Sequence, residues 1–250
     1  MNKKRKPLLR IRHEIPNHWY VGGIIATFTA LMLFWFVLSF WQVVERTFLP
    51  TPLQVAVTFF QMILTSEFWS HIGISVYRVF MGFLLACLLG IPLGILAGTW
   101  RLAEAAIVPL TEFIRYMPAT AFIPLVMVWA GIGETAKILI IFIGSFFQLV
   151  LMVADDTRAI SNDLLEASYT LGARGRQVIR EVILPALLPS LMNTLRLIMG
   201  WAWTYLVVAE LIAANTGLGY TIMKAQRFLN TDVIFVGIIV IGLLGLMIDR

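Results

Sequence analysis

Six long runs of apolar residues follow one another along the chain, and each is long enough to cross a lipid bilayer. A helix rises about 1.5 Å per residue, so about 20 apolar residues span the roughly 30 Å hydrocarbon core. The pattern predicts an all-α polytopic membrane protein with six transmembrane helices, approximately at 21–44, 78–99, 105–130, 136–154, 187–212 and 232–250. The first run exceeds the apolar segment of a signal peptide, which has about 7 to 15 residues, so we interpret it as a retained span.

Shorter segments complete this organisation. An apolar segment at 53–64 follows Pro50 and Pro52, and as a helix it would reach only about 18 Å. We expect it to be an interfacial helix along the outer face of the membrane. The chain then divides into a basic N-terminal tail, 1–20, and a transmembrane domain, 21–250, which contains one long polar loop at 155–186.

Lysine and arginine residues concentrate on one side of the predicted membrane. Six lie in the N-terminal tail and four in 154–186, and Arg101 and Arg250 belong to the same side. The loops assigned to the outside, 45–77, 131–135 and 213–231, contain only Arg46, Lys224 and Arg227. Cytoplasmic loops carry such an excess of basic residues, so we predict that both termini are cytoplasmic.

Composition agrees with a membrane protein and removes several functional classes. Apolar residues make up 60% of the chain and charged residues only 13%, against about 25% in soluble domains. A single cysteine, Cys87, and three scattered histidines offer neither a disulfide framework nor the ligand spacing of a metal site. The net charge of +5 comes from basic residues beside the spans and does not indicate nucleic-acid binding. No catalytic set and no phosphate-binding loop occurs, so the chain is not predicted to be an enzyme, and its energy must come from a gradient or a partner.

The polar loop predicts a helix-turn-helix elbow at the membrane surface. Asp163 is placed to cap a helix with Glu166 three residues later, and Gly172 to end it, which gives about nine residues. Five residues of this helix fall on one face that needs a packing partner, namely Leu164, Leu165, Ala167, Ser168 and Leu171. A second amphipathic run, 177–184, leads into Pro185.

Two interpretations of this elbow stay open on the residues alone. It is either a surface connector whose arginines contact lipid phosphates, Arg174, Arg176 and Arg180, or a docking element for another protein. The spacing of the loop resembles the signature of permease subunits of bacterial ATP-binding-cassette (ABC) importers. That signature is Glu-Ala-Ala, three residues, Gly, nine residues and Ile-x-Leu-Pro, and it reads here Glu166-Ala167-Ser168, Gly172 and Val182-Ile183-Leu184-Pro185.

Further stretches extend the resemblance from about Phe48 to the C-terminus, and they are most similar to the permeases of taurine, sulfonate and nitrate importers. They are Phe48-Leu-Pro-Thr-Pro52, Arg115-x-x-Pro118-x-x-Ala121-x-x-Pro124, Gly131-Ile-Gly-Glu-Thr135, Ala209-Glu-Leu-Ile-Ala213 and Gly217-Leu-Gly219. Thr120 and Gln148 depart from the residues usual in relatives, and Gln148 stands where many have proline.

This resemblance implies a type I ABC importer-like fold in the bacterial inner membrane. It implies a homodimer, two cytoplasmic ATPase subunits that hold ATP and Mg²⁺, and an extracytoplasmic binding protein, with no cofactor bound by this chain. The solute would be a small anion such as a sulfonate, taurine, nitrate or bicarbonate, and the sequence does not identify it. The elbow would be the coupling helix, which contacts the ATPase through Asp163, Leu164, Glu166, Ala167, Leu171, Gly172, Ala173 and Arg174.

Polar residues within the spans are the remaining candidates, because they are costly in a membrane and often functional. Those that we interpret as pathway candidates are Arg115, Pro118, Thr120, Ser145, Gln148 and Arg196. Alternatives stay open: Glu112 is placed for an ion pair with Arg115, and Thr120 and Gln148 are placed for structural hydrogen bonds. Arg78 and Glu210 lie near the outer interface, where we predict a structural ion pair.

An autonomous secondary transporter or channel is the main alternative function. Such proteins usually show an internal repeat and their own ion-coordinating carboxylates near the midplane, and neither pattern is convincing in this sequence. A membrane-embedded enzyme would need a catalytic set. Co-purification with a nucleotide-binding subunit would discriminate among the three, since only an importer permease requires it.

Overall fold

The part of the chain that the computed structural model describes, residues 16–249, is almost entirely helical. The basic residues of the predicted N-terminal tail up to residue 15, and Arg250, lie outside the described residues. The helices are α1 (Asn17–Phe40), α2 (Pro52–Ile63), α3 (Ser66–Thr99), α4 (Arg101–Arg115), α5 (Ile123–Ala130), α6 (Glu134–Arg158), α7 (Asn162–Thr170), α8 (Gly175–Gln177), α9 (Leu184–Ala213), α10 (Leu218–Arg227) and α11 (Thr231–Asp249). A 3-10 turn, Ala119–Phe122, precedes α5, and a π-helical segment, Val178–Ile183, joins α8 to α9.

The described residues contain up to six candidate membrane spans, as the sequence predicts. The count of six treats the bent pair Arg101–Arg115 and Ala119–Ala130 as one span. Five helices are long and apolar enough to cross a membrane: α1, α3, α6, the continuous helix from Gly175 to Leu211, and α11. The all-helical polytopic fold is therefore confirmed. The helix that contains the second predicted span is longer than that span, because α3 begins at Ser66 and has 34 residues. At 1.5 Å per residue it measures about 50 Å, so it extends beyond a hydrocarbon core of about 30 Å.

The third predicted span, 105–130, is not one continuous helix. Helix α4 ends at Arg115, and the helical segment from Ala119 to Ala130 leaves it at an angle of 90°. Pro118 explains the break, since proline lacks an N–H donor and pushes the residue before it out of the helical conformation. The non-helical residues at this break, 116–118, are exposed, and the 3-10 turn that follows them contacts α6 and α9.

The predicted interfacial helix is α2, and local hydrogen bonds define its start. The Thr51 side chain accepts a hydrogen bond from Gln54 N at 3.2 Å, and Gln54 Oε1 accepts one from Thr51 N at 2.9 Å. Pro52 occupies the first helical position, where a missing N–H costs nothing. Thr58 Oγ1 then donates to Asp232 Oδ2 at 2.6 Å and ties α2 to α11.

Helix α3 packs closely along α6, and glycines make the close approach possible. A Cβ atom added at Gly94 would lie 2.6 Å from Val153 Cβ and 2.8 Å from the carbonyl oxygen of Val150. Helix α9 packs on the other side of α6, and the shared core of the three helices contains Ala86, Leu149, Val153, Leu187, Leu191 and Ile198. Large exposed apolar side chains cover the outside, above all on α1. They face lipid if the chain spans a membrane.

We expect Gly94→Ala to destabilise the protein, whereas Gly73→Ala should not lower its stability. The added methyl group at position 94 meets the α6 backbone, and overpacking of this kind costs about 1 to 3 kcal/mol. Gly73 lies on the same helix, and a Cβ atom there meets nothing within 4 Å, so the gain in helix propensity of about 1 kcal/mol is kept. Thermal unfolding of both purified variants in one detergent checks this, and equal unfolding midpoints would contradict the packing interpretation.

Candidate functional site

Helix α7 forms the first arm of the elbow, and its length of nine residues equals the predicted one. The predicted cap was wrong. Ser161 is the N-cap, and its Oγ accepts a hydrogen bond from Asp163 N at 3.2 Å, whereas Asp163 already lies inside the helix. A capping box between Asp163 and Glu166 therefore does not form. Both carboxylates remain in the first turns of the helix, where the helix dipole favours negative charge.

Gly172 ends α7 as predicted, with a φ of 84°. Its N–H donates to the Tyr169 carbonyl at 2.9 Å, and the Ala173 N–H donates to the Ser168 carbonyl at 3.0 Å. These two bonds form a Schellman motif, which needs a left-handed residue that only glycine adopts without strain. The motif turns the chain sharply, so that Arg174 starts the second arm.

The exposed side of α7 is more apolar than a solvated helix requires. Of the five residues on the face that needs a packing partner, only Leu165 and Ser168 are half-buried or buried within the chain. Leu164 and Ala167 point outward, and Leu171 is 89% exposed. The turn at Gly172 directs the end of the helix away from the protein, which explains this exposure. The elbow thus presents apolar side chains beside exposed charges.

The second arm of the elbow continues directly into the membrane. Gln177 Oε1 accepts a hydrogen bond from Arg174 N at 2.9 Å at the start of this arm. No break separates this arm from the fifth span, because the helix runs without interruption from Gly175 to Leu211, which is 37 residues. The π-helical segment ends just before Pro185, and such wide turns relieve the missing hydrogen bond of a proline. The elbow is therefore rigidly connected to α9.

Arg78 lies at the centre of a charge network at the opposite end of α6. Its Nε and Nη2 atoms donate to the two carboxylate oxygens of Glu134 at 2.6 and 2.7 Å. Its Nη1 atom donates to Glu210 Oε1 at 2.6 Å and to the Thr216 carbonyl at 2.7 Å, and Nη2 also reaches Thr216 Oγ1 at 3.0 Å. These bonds use all five N–H donors of the guanidinium group.

The structure thus places Arg78 and Glu210 in direct contact, and both side chains are fully buried. Lys137 Nζ donates to Glu134 Oε1 at 2.8 Å, so two cations face two carboxylates. Glu210 also accepts bonds from Ser75 Oγ and Gly219 N, each at 2.7 Å. Buried charges need such complete pairing, because their removal from water is costly. The network joins α3, α6, α9 and the start of α10.

Sequence reasoning did not single out Glu134 or Lys137 for this network. Glu134 was noted only as part of Gly131-Ile-Gly-Glu-Thr135, a stretch that resembles the importer permeases and coincides with the predicted loop 131–135. A signal was available, since Arg78, Glu134 and Glu210 are all charges at the predicted outer ends of spans. Three charges at one depth favour mutual contact.

Arg158 forms a second set of ion pairs, where α6 leads into the elbow. Its Nη1 atom donates to Glu104 Oε1 and its Nη2 atom to Asp155 Oδ1, each at 2.5 Å. Arg101 donates to the other oxygen of Glu104 at 2.9 Å. These contacts hold the start of α4 against the end of α6, three residues before the cap of α7.

Two of the predicted pathway residues meet beside the break in the third span. Arg115 Nη1 donates to Gln148 Oε1 at 3.4 Å, and both residues line a cavity of about 190 Å³. The ion pair considered between Glu112 and Arg115 is not formed, and Arg115 contacts Tyr116 instead. The end of α4 directs Arg115 towards α6, which separates it from Glu112.

The other pathway candidates lie around this cavity or apart from it. Pro118 forms the break, and Thr120 lies exposed just after it. Ser145 is buried on α6, and its Oγ has no hydrogen-bond partner among the residues described. Arg196 is exposed on α9. The structure therefore brings together Arg115 and Gln148 at the cavity.

Comparison with known proteins gives consistent results. Residues 90–250 match the family described as binding-protein-dependent transport system inner membrane component. The chain is 39% identical over 231 residues to the aliphatic sulfonates transport permease protein SsuC of Bacillus subtilis, covering 92% of this chain and 83% of that protein. It is 34% identical over 245 residues to the taurine transport system permease protein TauC of Escherichia coli, covering 96% and 89%.

A solved structure shares the fold. An inward-facing structure of the MetNI methionine ABC transporter aligns with a TM-score of 0.57 and 24% identity, covering 71% of this chain and 92% of that chain. The predicted ABC importer-like architecture is confirmed by this likeness. The resemblance to taurine and sulfonate permeases that the motifs indicate is confirmed by the two relatives.

We expect Glu210→Ala to destabilise the protein strongly. The change leaves the buried Arg78 with an incomplete set of acceptors, and breaking a buried ion pair from one side costs about 3 to 5 kcal/mol. Arg101→Ala is the control, since that side chain is 93% exposed in its pair and such pairs add little. Membrane expression and the unfolding midpoint measure the effect. Equal midpoints for the two variants would show that the network is not needed for stability.

Proposed function

Because the chain belongs to the family of inner membrane components of binding-protein-dependent transport systems, we propose that it forms the membrane pathway of an ABC importer for a small anion. In this proposal two copies of the chain assemble around the pathway, and two separate ATPase subunits supply the energy. A binding protein delivers the solute at the outer face. The chain itself binds no cofactor, while ATP and Mg²⁺ are held by the ATPase.

The observation that carries this proposal is the exposed elbow. A loop that only joined two spans would place the apolar residues of α7 against the protein or in lipid, yet Leu171 projects from a turn among exposed charges. Apolar side chains surrounded by polar ones mark protein contact sites. Asp163, Glu166 and Arg174 are exposed around the same turn and can give the contact its specificity.

The connections of the elbow suit a coupling role. On one side α7 follows α6 after three residues, close to the ion pairs of Arg158. On the other side it leads into the long helix that starts at Gly175. A displacement of α7 by an ATPase would therefore act on two core helices at once. Both helices also form the walls of the cavity beside Arg115.

Two features support the remaining parts of the proposal. Gly200, Gly242 and Gly245 line an open apolar groove between α9 and α11, and small residues allow helices of two subunits to approach closely. The names of the relatives refer to sulfonates and taurine, so we assign a sulfonate or a similar small anion as the solute. The pathway would pass the polar residues near the break, including Thr120, Ser145 and Arg196.

We expect Leu171→Asp, Gly172→Val and Glu166→Arg to weaken ATPase binding without preventing membrane insertion. Leu171 has almost no contacts to lose within the chain, and a β-branched residue at position 172 costs about 1 to 2 kcal/mol in the left-handed conformation. Co-purification of the ATPase subunits and uptake of radiolabelled taurine measure the effect.

Leu64→Asp is the matched control, because Leu64 is 86% exposed and follows α2 at the other end of the protein. It should leave ATPase co-purification unchanged. If all three elbow variants retained the ATPase and transported like the unmodified protein, the elbow would not be a coupling element.

A further inference from the structure

The cavity beside the broken span has an unusual lining. It lies between α4, the 3-10 turn, α6 and α9, and its wall is partly polar and partly apolar. The polar groups in the wall come from four residues, Arg115, Gln148, Trp201 and Tyr205. Its volume of about 190 Å³ is below the roughly 300 to 1,000 Å³ of sites for drug-sized molecules. A solute with few heavy atoms fits this space.

The position of the cavity corresponds to the middle of a membrane. Gln148 lies ten residues before Arg158 on α6, and Arg115 lies eleven residues after Glu104 on α4. With 1.5 Å per residue, both distances are about 15 Å, half of a hydrocarbon core of about 30 Å. Gln148 on α6 and Arg115 on α4 thus lie at the same depth when each is measured from the Arg158–Glu104 ion pair that joins the two helices.

Arg115 differs from Arg78 and Arg158 in its partners. Each of those two arginines contacts two carboxylates. Arg115 has only two long hydrogen bonds, to Gln148 Oε1 at 3.4 Å and to Tyr116 Oη at 3.3 Å, and no ion pair among the residues described. The cavity wall contains no acidic residue. A cation at membrane depth without a carboxylate favours an anion at its side.

We propose that Arg115, Gln148 and Tyr205 form a subsite for one oxyanion group of the transported solute, a sulfonate or a carboxylate. This inference rests on the proposed function and adds a place and a chemistry to it. The guanidinium group offers parallel N–H donors to two oxygens of the anion. Arginine has no acceptor, so the Gln148 oxygen faces it and the Gln148 NH₂ group remains available as a second donor. The Tyr205 hydroxyl group supplies a third.

The same arrangement favours weak binding, which transport needs. One cation and neutral donors attract an anion into this small cavity, yet they do not surround it with several charges. A pathway site must bind strongly enough to admit the solute and weakly enough to release it. Phe147 and Trp201 give the organic part of a sulfonate an apolar surface.

A charge-selective thiol reaction tests the subsite without relying on transport. Cys87 is the only cysteine of the chain, so Cys87→Ser with Ala119→Cys places one thiol in the cavity wall. The full complex is placed in nanodiscs of phosphatidylcholine. Two methanethiosulfonate reagents of similar size are compared, one with a sulfonate tail and one with a trimethylammonium tail. We expect the sulfonate reagent to react faster.

Replacement of Arg115 should remove this preference. With Arg115→Met, the ratio of the two rates should fall by a factor of about ten or more, since the change removes the one charged side chain among the described residues of the cavity wall. Arg101→Met removes the same charge from the other end of α4 and should leave the ratio unchanged. Arg115→Lys keeps the charge and should retain most of the preference. Co-purification of the ATPase verifies that each variant is assembled.

Protection of the thiol identifies the occupant. Methanesulfonate and bicarbonate should slow the reaction, and dimethyl sulfone, which has a similar shape but no charge, should not. If only discs that contain phosphatidylglycerol showed protection, a lipid headgroup would be the occupant and the proposal would be overturned. If the two reagents reacted at equal rates with the protein that retains Arg115, the proposal would be overturned as well. This outcome does not depend on whether the Arg115 variants assemble.

An uptake assay on the same complexes separates this inference from the proposed function. If the charge preference and the protection are present but no sulfonate is transported, the subsite stands and the assigned function fails. If sulfonate is transported and Arg115→Met lowers neither uptake nor the ratio of rates, the function stands and the subsite is wrong.

Discussion

A single buried guanidinium group organises the end of this protein that lies away from the elbow. Arg78 can remain charged away from water only because every one of its N–H donors meets an acceptor, and those acceptors come from α6, α9 and the loop before α10. The positions of these elements are therefore coupled, since moving one of them leaves a buried charge incompletely paired. The loop at Gly217 fits only because glycine has no Cβ atom. The Cβ atom of any other residue there would clash with Oε1 of the Glu210 carboxylate.

The elbow at the other end of the protein has few contacts with the rest of the chain. Glycines of α3 let it approach α6 closely in the core, but α7 keeps only Leu165 and Ser168 turned towards the protein. A helix of nine residues is marginal alone in water, so its local hydrogen bonds at Ser161 and Gly172 define its shape. The chain thus combines a tightly packed body with a small projecting element whose form does not depend on wide contacts.

The sequence predicted those features that depend on local chemistry or on long apolar runs. The spans and the end of α7 at Gly172 belong to this group, since each follows from nearby residues. Contacts between distant residues were harder to predict. Glu134 was not recognised as a partner of Arg78, because pairing across 56 positions depends on how α3 packs on α6. Helix α10 was assigned to a loop, because its polar residues hide the short apolar face that packs on α11.

The uninterrupted helix from Gly175 to Leu211 has a mechanical consequence. A stiff rod that is clamped at one end and pushed at the other behaves as a lever. In the proposed coupling role its fulcrum would be the Glu210 network, and the force would arrive at the elbow, about 50 Å away at 1.5 Å per residue. Points along such a lever travel in proportion to their distance from the fulcrum, so a push at the elbow would displace the elbow end of the helix most and the end at Glu210 least.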